Sequence, residues 1–247
     1  MRVAVVSDIH GSLTPLEAVI ADVERRSPDA VILGGDLALI GPQPAEVVDR
    51  LRELGWPGVV GNTDEMLWRP ELRAERLERA PRLRALTAEM FDRYAPFTSE
   101  RLGEDRLGWL RKLPATQRVD RILVMHASPG DLWRAPMPDA DDEKLRATYG
   151  ESDAPLVAYG HIHRPFVREV GEELVVCNGG SVGLPWDGDP RAAYLLVDGQ
   201  DAEVVRVDYD VEREVSLIKS SGHPGAGRLA EMRRSGRPLP VEEYSGR

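Results

Sequence analysis

Apolar and polar positions alternate along this chain in a way that changes twice. Val3–Val6 and Ala30–Leu33 are short aliphatic runs with no polar interruption, the pattern of strands covered on both faces. Between them the apolar positions from Leu16 to Val23 recur at helical spacing, with Thr14 placed to cap and Pro15 in the first turn. A second helical pattern covers Ala45–Leu54, and the short run Val59-Val60 closes on Gly61-Asn62. This β-α-β-α-β order predicts a parallel sheet with helices packed against it.

From Met66 to Leu113 the pattern turns helical: leucines and Met90 recur at three-to-five spacings among Arg and Glu, and Pro81 and Pro96 divide the stretch into two or three helices. Beyond it strands dominate. Ile122–Met125, Leu156–Tyr159, Phe166–Val170, Leu174–Cys177, Ala193–Val197 and Val204–Val207 are each bounded by turn residues, with Gly171-Glu172 and Asp198-Gly199 as hairpin turns. The second half is therefore expected to add a largely antiparallel or mixed sheet packed on the first. After Ser220 the sequence is rich in Gly, Pro and Arg, which predicts a helix near Arg228–Arg234 at most and a loosely ordered tail.

Composition narrows the function. The 247 residues carry a net charge of -10, which argues against a general nucleic-acid or anionic-membrane binder because the summed field repels polyanions. The charge is uneven: the 66–113 stretch holds 11 basic and 8 acidic residues. Solvated helix faces with paired charges account for it most simply, and an Arg-bearing cap beside an anionic substrate is the sharper alternative. The single Cys177 excludes an internal disulfide, and the N-terminal apolar run is too short for a secretory segment, so a cytoplasmic protein is expected.

The histidines carry the chemistry. Of five, His10, His126, His161 and His163 follow predicted strands in short polar or glycine-rich turns, and so do Asp8, Asp36 and Asn62. Ligands collect outside the carboxyl ends of strands in α/β sheets, so seven potential donors share one rim. Asp8/His10 and His161/His163 are i, i+2 pairs, which in extended backbone point to one side. His223, in Gly222-His223-Pro224, reads as a surface-loop residue. The donor set mixes carboxylate, imidazole and one amide without thiolate, and two metals sharing a bridging carboxylate would use all seven donors. Mn, Fe, Zn or Ni suits it, with Mn the first choice in vitro.

Asp8-Ile9-His10-Gly11, Gly35-Asp36, Gly61-Asn62-Thr63-Asp64, Val124-Met125-His126 and Gly160-His161-Ile162-His163 resemble, in order, the blocks of the calcineurin-like metallophosphoesterases. Asn178-Gly179-Gly180-Ser181-Val182 is similar to the Asn-Pro-Gly-Ser-Val loop of the family's small prokaryotic phosphodiesterase branch, with Gly179 at the proline position. The resemblance implies a four-layer α/β sandwich of two mixed sheets with outer helices. It implies one domain over residues 1–220, with a helical insertion at about 66–113 and a C-terminal extension over 221–247. It also implies that Asp8, His10 and His163 hold one metal, that Asn62, His126 and His161 hold the other, that Asp36 bridges, and that a metal-bridging hydroxide is the nucleophile.

Many relatives place a histidine after the Gly-Asn pair, where it protonates the leaving group or binds phosphate. Here the residue is Thr63, which cannot supply a proton as imidazolium can. Asp64 could substitute if its pKa were raised. The change favours phosphodiesters of small or nucleotide-like compounds over alkyl monoesters. A phosphomonoesterase, a dinucleoside polyphosphate hydrolase and a non-catalytic metal-binding scaffold are the competing readings. Arg164, Ser181 and Arg191 are candidate substrate contacts, and Trp133 or Trp186 could stack on a base, although core packing explains both more simply. The tail and the insertion could mediate a homo-oligomer, but their patterns do not require one.

Overall fold

The structure, a computed structural model, describes residues 1–241. The strands are, in chain order, β1 (Arg2–Val6), β2 (Ala30–Leu33), β3 (Thr116–Val119), β4 (Ile122–Met125) and β5 (Leu156–Tyr159). β6 (Phe166–Val170), β7 (Leu174–Asn178), β8 (Ala192–Asp198) and β9 (Asp201–Val207) follow. They form two mixed sheets, of order β2-β1-β8-β9 and β3-β4-β5-β7-β6. β1 runs parallel to β2 and antiparallel to β8, and β4, β5 and β7 are mutually parallel.

The uninterrupted apolar runs have a direct cause in this layering. Val3 and Val5 of β1 enter a layer between the sheets, where Ile32, Leu195 and Val197 meet Ile122, Val124, Leu156, Ala158 and Cys177. Ala4 and Val6 face the other way, onto Leu16, Val19, Ile20 and Val23 of α1 (Leu13–Arg26) and onto Val47, Val48 and Leu51 of α2 (Pro44–Leu54). Each aliphatic side chain so enclosed contributes about 1.5–3 kcal/mol, and a polar residue at any of these positions would face an unsatisfied interior. On the outer face of the second sheet, Leu145 and Tyr149 pack against Val157 and Tyr159.

The division of the sheets differs from the one expected. The β8-β9 hairpin, turning at Gly199, returns to pair with β1 instead of extending the second sheet. Val59-Val60 forms no strand, and only Gly58 bridges to Leu33. Thr14 lies inside α1, whose N-cap is Ser12. β3 carries no apolar run because it is an edge strand with Thr116 and Arg118 turned to solvent.

The insertion begins after α3 (Asn62–Met66) and comprises α4 (Leu72–Arg79), α5 (Arg84–Glu89), a π-helical turn over Met90–Tyr94 and α6 (Ala95–Leu110). Leu72, Phe91, Tyr94 and Ala95 pack on Leu39 and Met66, which anchors these helices to the loop after β2. Pro96 does not break the helix, because the wider π turn over Met90–Tyr94 precedes it and relieves the conflict of its ring and missing N–H with the preceding turn. After α7 (Asp142–Tyr149), the C-terminal part forms α8 (Val211–Ser220) and α9 (Ala226–Ser235). The helix expected near Arg228–Arg234 is α9, and it is packed: Leu229, Ala230 and Met232 pack with Val215 and Ile218 on Leu184, and buried Arg233 donates through Nη2 to Ser12 Oγ at 2.5 Å. The rest of the expected tail, residues 242–247, lies outside the described residues. No helix among the described residues is long and apolar enough to cross a membrane.

His223 is not a surface residue. It is 4% exposed, with ring centroids 4.5 Å from Tyr94 and 4.8 Å from Phe97. Burial, followed by the charges of Arg233, Arg101, Arg228 and Arg93, pushes its pKa from 6.5 down to about 3. Between those values the unfolded chain takes up a proton that the folded one refuses, so His223 withdraws stability as pH falls below 6.5. The loss reaches about 2 kcal/mol by pH 5. A His223→Phe variant is expected to lose that much less than the parent between pH 8 and pH 5 in urea titrations. An unchanged difference between the two pH values would refute the neutral, buried histidine.

Candidate metal centre

The donors converge through left-handed turns rather than extended backbone. Asp8, His10, Asp36, His161 and His163 all have positive φ, between 52° and 68°. Each such non-glycine residue costs about 1–2 kcal/mol, and persists only where the surroundings over-determine it. They do so here. Asp8 and His10 donate their amides to Gly35 and Asp36 carbonyls at 3.0 Å, continuing the β1-β2 ladder into the loops. The loop after β7 crosses behind, with Val182 and Gly183 amides on the Ser7 and Asp8 carbonyls. Asn178 holds it in place, donating to the Tyr159 and Gly160 carbonyls and accepting from Gly180.

Two groups of donors result. In the first, His163 Nε2 lies 3.1 Å from both Asp8 Oδ1 and His10 Nε2. In the second, Asn62 Oδ1 lies 2.9 Å from His126 Nε2 and 2.8 Å from His161 Nδ1. Asp36 sits between them, Oδ2 at 3.7 Å from His10 Nε2 and Oδ1 at 3.4 Å from His126 Nε2. One ligand atom from each of Asp8, His10, Asp36 and His163 lies within 4.8 Å of all the others, and all four residues are buried.

The outer nitrogen of every imidazole meets a backbone carbonyl: His10 Nδ1 on Leu39, His126 Nδ1 on Gly34, His163 Nδ1 on Leu184 and His161 Nε2 on Trp133. A carbonyl only accepts, so each outer nitrogen carries the proton and the inner one presents a lone pair. Lone pairs of His10 and His163 therefore face each other across 3.1 Å. Facing lone pairs repel, and a cation between them relieves that repulsion while the carbonyls fix each ring's orientation. The donor set fits divalent metal ions.

The charge states point the same way. Burial opposes ionisation of Asp8, yet His163 and His126 bring its pKa below the ordinary value, and Asp36 is held low against burial by His126. His10 falls to about 4 through burial and the neighbouring His163, and His161 to about 4 through burial and His126. Carboxylate and neutral imidazole are the forms that bind metal. His126 is the exception: burial lowers its pKa, but the charge of Asp36 prevails and raises it to about 9, so a bound cation has a proton to displace there.

The remaining candidates divide by what they touch. Asp64 is fully buried and accepts from the amides of Leu37, Ala38 and Gly61, and burial together with Asp36 raises its pKa to about 7. It ties the loop that carries Asp36 to the one that carries Asn62. Ser181 is also buried, its hydroxyl donating to the Asp8 carbonyl and accepting from the Leu184 amide, so both its bonding directions are taken by the loop. Thr63 gives its amide to Asp36 Oδ1 at 2.8 Å, while its buried hydroxyl has no partner among the described residues. Arg191 pairs with Asp189, and Arg164 is exposed beside His161 at the edge of a cleft. Ser7, whose hydroxyl donates to Asp8 Oδ2 at 2.6 Å, escapes sequence reasoning because one serine at a strand end carries no distinguishing pattern.

Residues 1–202 match the family described as the calcineurin-like phosphoesterase superfamily domain. An uncharacterized protein of Methanocaldococcus jannaschii is 29% identical over 90% of this chain and 93% of its own length. A Synechococcus protein named a probable cyclic nucleotide phosphodiesterase is 28% identical over 69% of this chain and 76% of its own. The crystal structure of a metallophosphoesterase from Sphaerobacter thermophilus, 26% identical, superposes with a TM-score of 0.76 over 96% of this chain and all of its own.

Proposed function

Since the chain belongs to the calcineurin-like phosphoesterase superfamily, we propose that it hydrolyses phosphodiester bonds of small or nucleotide-like substrates with two divalent cations as cofactor. Asp8, His10 and His163 would hold one cation, Asn62, His126 and His161 the other, and Asp36 would lie between them. Such ions, when bound, stabilise charge developing on phosphoryl oxygens and bring the pKa of water into the neutral range.

The protein's own part is positional and electrostatic. Four backbone carbonyls hold the imidazole protons on the outer nitrogens, so no tautomer change precedes ion binding. The Ser7 hydroxyl and the His161 amide orient Asp8, and the Thr63 amide orients Asp36. Two carboxylates opposite two divalent ions leave the site net positive, which attracts a phosphate ester to an otherwise acidic protein.

The observation that carries the preference for diesters is the lack of a free acid among the described residues of the site. Thr63 offers only a hydroxyl, and the Asp64 carboxyl, although burial and Asp36 raise its pKa to about 7, is fully buried and committed to three amides. An alkyl monoester dianion would bring more negative charge to the aspartates and find no proton for its leaving oxygen. The name of the Synechococcus relative supports this reading. Paired assays of Mn-loaded protein on bis-p-nitrophenyl phosphate and p-nitrophenyl phosphate test it, with faster turnover of the diester expected. On an alkyl monoester such as glycerol 3-phosphate, whose leaving oxygen needs a proton, Thr63→His should raise monoester turnover relative to diester turnover by about tenfold, below the roughly 10²–10⁴ of a fully positioned general acid. No turnover of either ester with any first-row divalent ion would remove the enzymatic reading.

A further inference from the structure

We infer that the cleft between Trp133 and Trp186, with the guanidinium groups of Arg76, Arg134 and Arg164, binds the nucleotide part of the substrate: an aromatic base and a phosphate beyond the scissile one. The inference rests on the phosphodiesterase reading and deepens it. Both tryptophans touch the donor cluster. The Trp133 carbonyl bonds His161 Nε2 at 3.1 Å, and the Trp186 ring lies 4.1 Å from the His163 ring. The cleft they share measures about 620 Å³, has Met137 and His161 in its lining, and is far larger than a phosphate group requires.

The second half of the argument is charge. Arg76, on α4 of the insertion, stacks its guanidinium 4.4 Å from the centre of the Trp133 ring and lines an adjoining hollow of about 250 Å³ with Arg134. The acids around it are engaged elsewhere: Glu65 with Arg69, Glu75 with Arg79, and Asp131 with the Trp133 amide. Six of the ten arginines of the 66–113 stretch (Arg69, Arg73, Arg79, Arg93, Arg106 and Arg111) pair with carboxylates. Among the described residues Arg82, Arg84 and Arg101 do not, nor do Arg76, Arg134 and Arg164, and of these only the last three line the two hollows. Burial, with repulsion from Arg134, holds the Arg76 pKa below its ordinary value, so a charge here gains from an anion. Three unpaired guanidiniums around two indoles suit a ligand that is planar, aromatic and anionic, because Arg and Trp both stack on bases and Arg forks phosphate oxygens. The insertion thereby acquires a role: it brings Arg76 to a tryptophan 57 positions away.

The test is calorimetry on metal-free protein with adenosine 5′-monophosphate, adenosine and ribose 5-phosphate, which reads the subsite without turnover. Adenosine 5′-monophosphate should bind at least about tenfold more tightly than either part alone, and Arg76→Ala and Arg134→Ala should each weaken it by about five- to tenfold. On Mn-loaded enzyme, the ratio of kcat/KM for a dinucleotide to that for bis-p-nitrophenyl phosphate should fall in both variants. Binding that depends on Arg76 in a protein that turns over neither ester upholds the subsite while the hydrolytic reading fails. Turnover by an enzyme that binds adenosine 5′-monophosphate no better than ribose 5-phosphate, with an unchanged ratio in both variants, overturns the subsite alone.

Discussion

An Asp36→Asn variant is expected to lose about 10²–10³-fold in kcat/KM and to bind its divalent ions much more weakly than the parent. Among the described residues, Asp36 is the one whose two oxygens face both donor groups, at 3.7 Å from His10 Nε2 and 3.4 Å from His126 Nε2. Asparagine keeps the side-chain shape and tolerates the φ of +54° at this position, so the loop should survive. What disappears is one negative charge and one of two acceptor oxygens, replaced by an N–H pair that no cation can coordinate. The charge that raises the His126 pKa to about 9 disappears too, so the metal-free variant should hold that imidazole less firmly protonated. Metal analysis and steady-state kinetics on the same preparation separate the outcomes. Full metal content with an unchanged rate would refute the bridging position.

Gly61→Ala should be nearly as damaging although it removes no functional group. A Cβ at this position would lie 2.1 Å from both the amide nitrogen and Oδ1 of Asp36, and 2.8 Å from its Cα. The obstruction is backbone, so no side-chain rotation relieves it. The loop must move, taking with it the Asn62 amide and the Thr63 N–H that orients Asp36. Overpacking of this kind costs about 1–3 kcal/mol of stability, and an ångström of misplacement costs about 10² in rate. Gly108→Ala is the control, since its added methyl meets nothing within 4 Å. Parental activity in Gly61→Ala would show that the two loops are less tightly coupled than their contacts indicate.

The donor cluster was legible because its residues break the pattern around them. His126 and Asp8 follow aliphatic runs that have no other reason to end in an ionisable group, and glycines adjoin His10, Asp36, Asn62 and His161. The route by which they converge was not legible: left-handed turns at Asp8, His10, Asp36, His161 and His163 depend on loops from distant segments bracing one another. Inner strands such as β1, β5 and β8 stood out as apolar runs because they are covered on two faces, and β6 and β9 showed as alternating edge strands, whereas β3, half solvated at an edge and without apolar residues except Val119, did not show. α8 and the packing of α9 were hidden by composition. Arg233 and Glu214 are charged and yet fully buried, and only the finished packing of α8 and α9 against Leu184 and Ser12 makes room for them. Asp64 and Ser181 also brace the loops with hydrogen bonds that the sequence did not foretell, since the pattern that marks a strand-end turn does not say which way a side chain points. The surplus of positive charge in the 66–113 stretch concealed one informative residue, Arg76, among arginines that are mostly paired.

The central claim is that seven side chains form one centre for two cations. Its most direct test is calorimetric titration of Mn²⁺ into chelator-stripped protein, with bound metal counted afterwards by mass spectrometry. The account predicts two ions per chain, both retained through desalting. One ion, or none, would contradict it.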